Sequence, residues 1–174
     1  FKSSDLGRSW LTISPPGAGI TVFVADGKNL YAINSESPRR IIVTDDDGKS
    51  WTPITTNIEP IFQNYVSEFW HTNKTFLILF RLSATAYQLY RSEDECRTWE
   101  MVGPQLSERV ACFPYAGSIF LTATKGYFRS TDEGKSWVEH SFPETPDHIV
   151  EEGQLWYIVT RDGNLYRSLD DGLT

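Results

Sequence analysis

The sequence predicts an all-β fold built from a repeated four-stranded unit, and three observations carry that prediction. An octapeptide of the form Ser/Thr-x-Asp-x-Gly-x-Ser/Thr-Trp is written five times, with variations. Its tryptophans, Trp10, Trp51, Trp99 and Trp137, stand 41, 48 and 38 residues apart. Aromatic and β-branched residues are plentiful, and no stretch sustains apolar spacing at three and four residues. A period near 40 marks a unit that cannot bury its own apolar face and therefore stacks on its neighbours.

The copies are Ser3-Ser4-Asp5-Leu6-Gly7-Arg8-Ser9-Trp10, Thr44-Asp45-Asp46-Asp47-Gly48-Lys49-Ser50-Trp51, Ser92-Glu93-Asp94-Glu95-Cys96-Arg97-Thr98-Trp99 and Ser130-Thr131-Asp132-Glu133-Gly134-Lys135-Ser136-Trp137. A fifth, Ser168-Leu169-Asp170-Asp171-Gly172-Leu173-Thr174, would place its tryptophan one residue further on. Each position has a folding role in a tight reversal. The first hydroxyl and the Asp accept main-chain N–H bonds, and the Gly takes a positive φ. The second hydroxyl locks the exit, and the Trp lays apolar surface on the sheet with its indole N–H aimed at a carbonyl. Cys96 replaces the Gly of the third copy and puts the positive φ or the turn geometry there in question.

Between the copies the same order of strands recurs. Residues 1–18 read as the end of a preceding unit, with Trp10 to Ile13 as a fourth-type strand. In 19–55, Ile20 to Ala25 is a strand, Asp26-Gly27-Lys28 a turn, Leu30 to Asn34 and Arg40 to Thr44 two more strands, and Trp51 to Ile54 the short fourth. In 64–103 the strands are Tyr65 to Trp70, Phe76 to Arg81, Tyr87 to Ser92 and Trp99 to Val102, with a turn around Asn73-Lys74. Extra residues sit before Tyr65 and around Ser83 to Thr85. In 108–142 they are Arg109 to Phe113, Ile119 to Thr124, Gly126 to Ser130 and Trp137 to His140, with a turn at Tyr115-Ala116-Gly117. In 147–174 they are His148 to Glu151, Leu155 to Thr160 and Leu165 to Ser168, with turns at Glu152-Gly153 and Asp162-Gly163, and this unit is incomplete. Four-stranded antiparallel units at this period are the blades of a β-propeller. About four are expected, as a segment of a larger propeller.

Sixteen basic against 23 acidic residues give a net charge of −7 and a pI near 4.9. That balance argues against nucleic acid or an anionic membrane as the main partner. No run of 18 apolar residues exists to insert in a membrane. The chain carries no initiator Met and no signal peptide, and reads as a piece of a longer polypeptide. Cys96 and Cys112 form either one bridge or two unrelated small residues. Asn73-Lys74-Thr75 fits the N-glycosylation pattern, weak support for an extracellular or secretory-pathway location.

The five octapeptides on a regular period resemble the Asp-box, or bacterial neuraminidase repeat, of sialidases, sortilin-type receptor propellers, xyloglucan-degrading enzymes and photosystem assembly propellers. The resemblance covers the whole chain and implies that the boxes are structural and lie opposite the functional face. Asp45-Asp46-Asp47 and Asp170-Asp171 invite comparison with a calcium loop, but the bidentate Glu such a loop needs does not follow. No metal and no cofactor is expected, and His71, His140 and His148 lack zinc-ligand spacing.

Function is then expected on the loops joining second to third strands and unit to unit. These carry Glu36, Arg39 and Arg40, then Arg81 to Thr85, then Lys125, then Arg161 and Asp162. Arg39, Arg40, Arg81, Arg161 and Asp162 are the candidate ligand-binding residues, set against the reading that they are simply solvated loop charges. Arg91, Arg129 and Arg167 each precede a box Ser and read as structural. A sialidase, by the resemblance, would use three arginines, a Tyr paired with a Glu, and an Asp; no Arg-Ile-Pro signature occurs, and no catalytic residue is assigned. A xyloglucan-type hydrolase would need opposed carboxylates, for which Glu36 and Asp162 are the candidates. Trp70 and Trp156 are either sugar platforms or core. The expected function is a recognition module for a protein, peptide or glycan, completed by further blades or a second copy; the alternative is part of a sialidase-like glycoside hydrolase.

Overall fold

A computed structural model of the chain describes every residue except Pro16, Ala18, 107–110, Ala116, Asp171, Leu173 and Thr174. Four antiparallel sheets follow one another. The first holds β1 (Ile20–Asp26), β2 (Asn29–Asn34), β3 (Ile41–Thr44) and β4 (Thr52–Ile54) in that order. The second holds β5 (Tyr65–Thr72), β6 (Thr75–Ser83), β7 (Ala86–Ser92) and β8 (Glu100–Leu106). The third holds β9 (Cys112–Tyr115), β10 (Ser118–Ala123), β11 (Gly126–Ser130) and β12 (Val138–Ser141). The fourth has three strands among the described residues, β13 (Pro146–Glu152), β14 (Leu155–Thr160) and β15 (Leu165–Ser168).

The sheets pack face to face, and that explains their patterning. Phe76 to Phe80 of β6 are buried without alternation because both faces of the sheet are covered. Phe76, Ile78 and Phe80 join a core with Tyr31, Ile33 and Ile41 of sheet 1. Leu77 and Leu79 join another with Ile119 and Leu121 of sheet 3. A third core, Phe120, Tyr127, Ile149, Trp156 and Ile158, joins sheets 3 and 4. Trp156 is thus core, 1% exposed, and Trp70 packs against the second core. β1 alternates instead, with Val22 and Val24 packed inward and Phe23 64% exposed.

Several expectations are corrected. β6 runs on to Ser83 and is closed by Ala84-Thr85, so Arg81 lies in a strand paired with Tyr87, not in a connection. The insertion before Tyr65 is a 3-10 turn, Glu59–Gln63, with Pro60 in its first turn. Its Phe62 is buried 5.4 Å from Phe80, edge to face. Fourth strands begin one residue after their Trp, at Thr52, Glu100 and Val138. The strand expected from Arg109 begins, where described, at Cys112; Arg109 itself lies outside the described residues, as do Ala116 of the expected turn and Asp171, Leu173 and Thr174 of the last octapeptide. Trp10 to Ile13 belongs to no sheet; one bridge, Lys2↔Leu11, holds it, and Trp10 is 63% exposed. Cys96 and Cys112 are free, buried in two different cores.

The octapeptides share one set of bonds. The first hydroxyl donates to the Asp at 2.9 Å in Ser3–Asp5, 2.8 Å in Thr44–Asp46, 2.9 Å in Ser92–Asp94, 2.8 Å in Ser130–Asp132 and 2.6 Å in Ser168–Asp170. The same oxygen accepts the N–H of the fifth residue, at 2.8 Å for Gly7 and 3.2 Å for Cys96. In the first four copies the Asp accepts both the N–H and the hydroxyl of the seventh residue, as Asp132 does from Ser136 at 2.8 and 2.6 Å. Trp10, Trp99 and Trp137 donate their indole N–H to the fifth residue's carbonyl. Trp51 donates instead to Ile13 O at 2.9 Å. Two successive residues are left-handed, not one: Leu6, Asp47, Glu95 and Glu133 at the fourth position precede Gly7, Gly48, Cys96 and Gly134. Cys96 keeps the turn at φ +68, a strain of about 1–2 kcal/mol, while its side chain fills the first core.

These bonds hold Asp5, Asp46 and Asp132 at a pKa of about 2, chiefly through the hydroxyls of Ser9, Ser50 and Ser136. A folded pKa below the unfolded value of 3.8 means that the stabilisation is complete above about pH 5 and lost as pH falls toward 2. Carbon-detected NMR of the Asp side chains is expected to show these three titrating near 2. Titration near 4 would contradict the turn geometry.

In sheets 2 and 3 the residue before the first hydroxyl ties the sheet to the next. Arg91, 4% exposed, donates Nε to Glu133 O of the following turn at 3.1 Å and pairs with Glu93 and Glu100. Arg129 reaches Glu151 on β13 at 3.1 Å and lies 4.7 Å from the Trp156 ring. Arg167 holds the same place in sheet 4 and is exposed; Val43 holds it in sheet 1.

Candidate functional site

The strand order puts the first hairpins and the octapeptide turns at one end of the sheets. Contacts between them bear this out: Asn73 and Thr75 of the β5–β6 hairpin donate to Glu133 at 3.4 and 3.0 Å, and Lys28 pairs with Asp45 at 3.4 Å. The second-to-third-strand connections and the links between sheets lie at the opposite end. There the two kinds of segment brace each other. Arg39 Nη1 donates to Asn64 O at 3.3 Å, Phe142 N to Lys125 O at 2.9 Å, and Arg161 N to Thr145 O at 3.0 Å.

A cleft of about 470 Å³ at this end lies where the β2–β3 connection meets the 3-10 turn. Pro38, Pro60 and Phe62 give it an apolar floor; Ser35, Ser37 and Gln63 offer hydroxyls and an amide, and Arg39 and Glu59 carry the charges. Ser37-Pro38 is a cis peptide. One nitrogen of Arg39 is engaged by Asn64 O, which orients the planar guanidinium; a guanidinium has five N–H donors in all.

A second polar group centres on Glu144 in the link between sheets 3 and 4. Its carboxylate accepts from Thr160 Oγ1 at 2.5 Å, Asn164 Nδ2 at 2.9 Å and the Tyr166 hydroxyl at 2.8 Å. Those bonds lower the Glu144 pKa and, from the other side, hold the proton on Tyr166. Asn164 and Tyr166 follow the Arg161-Asp162 connection.

Of the residues singled out in the sequence, Arg39 lines the cleft. Arg40 does not; it starts the approach to β3, with its N–H accepted by Asn34 Oδ1. Arg81 stays on its own hairpin, with Nε on Ser83 O at 3.1 Å and its guanidinium 6.0 Å over Tyr87. Arg161 and Asp162 sit in the connection between β14 and β15, exposed. Glu59, Gln63 and Glu144 were not singled out; Pro60 after Glu59 is the one local signal of the turn that carries the first two. The Asp46 oxygens are already taken by Thr44 and Ser50. Among the described residues no cluster of three His, Cys, Asp or Glu is placed to hold a metal, and no helix is long and apolar enough to cross a membrane.

The solved structure of YCF48 bound to D1 peptide superposes on 95% of this chain and 57% of its own, with a TM-score of 0.63 and 15% identity. The designed Ika4 protein matches with a TM-score of 0.59 over 92% of this chain and 97% of its own, at 8% identity. A GH74 enzyme of Niastella koreensis matches with a TM-score of 0.60 over 89% of this chain and 23% of its own, at 12% identity. This chain folds as the blades of a β-propeller. Sheets 1 to 4 are its blades. In sequence, 90 residues, 49% of the chain, are 34% identical to the vacuolar protein sorting/targeting protein 10 of Mycosarcoma maydis. That match spans 6% of the relative's length, and no family model matches the chain.

Proposed function

We propose that the chain is a recognition propeller that binds an extended peptide on its loop face, with an acidic peptide side chain held at Arg39. The observation that carries this reading is the cleft itself. An apolar floor, an oriented guanidinium and neutral hydrogen-bonding side chains stand together at the loop end. Apolar pockets with a few convergent polar groups are the usual form of a binding site. Support comes from the likeness to a propeller solved with a peptide and from the local likeness to a vacuolar sorting protein. On this reading the octapeptides are Asp-boxes serving as scaffold, the units at 19–55, 64–103, 108–142 and 147–174 are the blades, and the location is the secretory pathway or outside the cell. Arg40, Arg81, Arg161 and Asp162 form an outer rim whose charges act on encounter more than on affinity.

A panel of fluorescent peptides, acidic, neutral and basic, tests it by anisotropy, with glycans as a separate arm. Arg39→Ala is expected to weaken the acidic peptides about tenfold, which corresponds to about 1.4 kcal/mol. Arg8→Ala, at the opposite end, is expected to change nothing. Equal binding of all peptides, or binding of glycans alone, contradicts the proposal. The hydrolase alternative has one observation in its favour, the Tyr166–Glu144 pair. Turnover of a fluorogenic sialoside that disappears in Tyr166→Phe supports that alternative, and absence of turnover retires it.

A further inference from the structure

Of the six asparagines in the chain, Asn73 alone is followed two residues on by a Ser or Thr, as Asn73-Lys74-Thr75. The intervening Lys satisfies the acceptor pattern, which forbids only Pro there. The fold puts Asn73 and Lys74 at the tip of the β5–β6 hairpin, between the paired Thr72 and Thr75. Both tip residues are exposed, and Thr75 is buried.

The turn itself explains part of this tripeptide. Asn73 has a left-handed φ of +53, and the same tip position is Gly27 in blade 1 and Gly153 in blade 4, at +58 and +61. After Gly, Asn is among the side chains that enter this region most readily. A hydroxyl after the tip is not dictated in the same way, because the places equivalent to Thr75 hold Asn29, Ser118 and Leu155. We infer that Asn73 is an acceptor for an N-linked oligosaccharide, carried on the octapeptide end of blade 2. The inference rests on the secretory-pathway location proposed above.

The chemistry needs a lipid-diphosphate oligosaccharide as donor. Asn73 Nδ2 attacks the anomeric carbon, the new N–C bond replaces the C–O bond to the departing diphosphate, and one amide proton passes to a base of the transferase. The transferase reads Thr75 on the extended chain, before the hairpin closes and buries the hydroxyl. In the folded hairpin Asn73 Nδ2 makes a long contact of 3.4 Å to Glu133 Oε1, while Thr75 Oγ1 donates to Glu133 Oε2 at 3.0 Å. A side-chain amide has two hydrogens; the transfer consumes one and leaves the other for Glu133. The Arg39 cleft lies at the opposite end, so a bulky, hydrated glycan at Asn73 covers the turn end of the blade 2–3 seam and leaves the cleft open.

Two measurements decide the matter. The chain is first translated with microsomes behind a secretory leader that contains no asparagine. A slower band is expected that peptide N-glycosidase removes, that Asn73→Gln and Thr75→Val abolish, and that Thr75→Ser keeps. Transfer precedes folding, so the variants report on the acceptor whether or not they fold. No slower band from the parent chain, or one that survives Asn73→Gln, overturns the inference. The protein isolated from its own cells is then treated with the glycosidase in heavy-oxygen water, and mass spectrometry is expected to find Asn73 converted to Asp with one heavy oxygen. Bare Asn73 on protein recovered from the secretory pathway or from outside the cell overturns the inference while the location stands. Bare Asn73 on protein confined to the cytosol overturns both, and a microsomal band then puts the fault in the location and not in the acceptor.

Discussion

Trp156→Ala is expected to cost about 3–5 kcal/mol of folding stability, the range for removing a fully buried aromatic from a core that relaxes only in part. The ring is 1% exposed and stands edge to face with Phe120 at 5.2 Å, and it carries the Arg129 guanidinium 4.7 Å from its centre. Blade 3 and blade 4 meet on this side chain, so the loss falls on their interface. In urea the variant is expected to lose its fourth blade first, seen as early exchange of the β14 amides while those of β6 stay protected. A cost below about 1 kcal/mol, or exchange that is uniform over all blades, contradicts this account.

Arg91→Ala is expected to cost about 2–4 kcal/mol, the second largest effect, and Arg97→Ala less than about 0.5 kcal/mol. The two arginines differ in burial and partners. Arg91 is 4% exposed, and its loss leaves Glu133 O without its donor at the blade 2–3 interface. Glu93 and Glu100 are 47% and 63% exposed and return to water, which caps the cost. Arg97 and its partner Glu95 are both more than half exposed. Arg91→Lys is expected to fall between, because one ammonium cannot serve a carbonyl and two carboxylates in a plane. Chemical denaturation of the three variants side by side gives the ranking, and near-equal values for Arg91→Ala and Arg97→Ala would remove the clamp from the account.

Much of the fold was legible because its signals are local. The octapeptide closes its bonds within eight residues, and short turns set the hairpins, two residues before Gly126 and before Leu155 and four before Leu165, so Gly126 to Ser130, Leu155 to Thr160 and Leu165 to Ser168 fall as expected to the residue. What escaped depends on distant partners. The 3-10 turn at Glu59–Gln63 is held by Phe62 against Phe80, and β6 outruns its expected end because the Ala84-Thr85 connection lets the pairing continue to Ser83. The second left-handed residue of the turn has no compositional mark, since Leu6, Asp47, Glu95 and Glu133 share no chemistry. For the candidate site, the loop position of Arg39 could be read from its connection. Its companions Glu59 and Gln63 come from another repeat, and only folding brings them near. Arg40, adjacent in sequence, diverges from the cleft because β3 begins at Ile41.

The place of Val43 gives the seams between blades unequal character. Where Arg91 and Arg129 span two seams with charge, the seam between blades 1 and 2 has an aliphatic side chain at that position and is closed by Tyr31, Phe62, Phe76 and Trp99. Added salt weakens charged contacts that water can reach and leaves buried apolar ones intact or tighter. In concentrated salt the charged contacts that water reaches at the later two seams are therefore screened, while the apolar cores of all three seams hold.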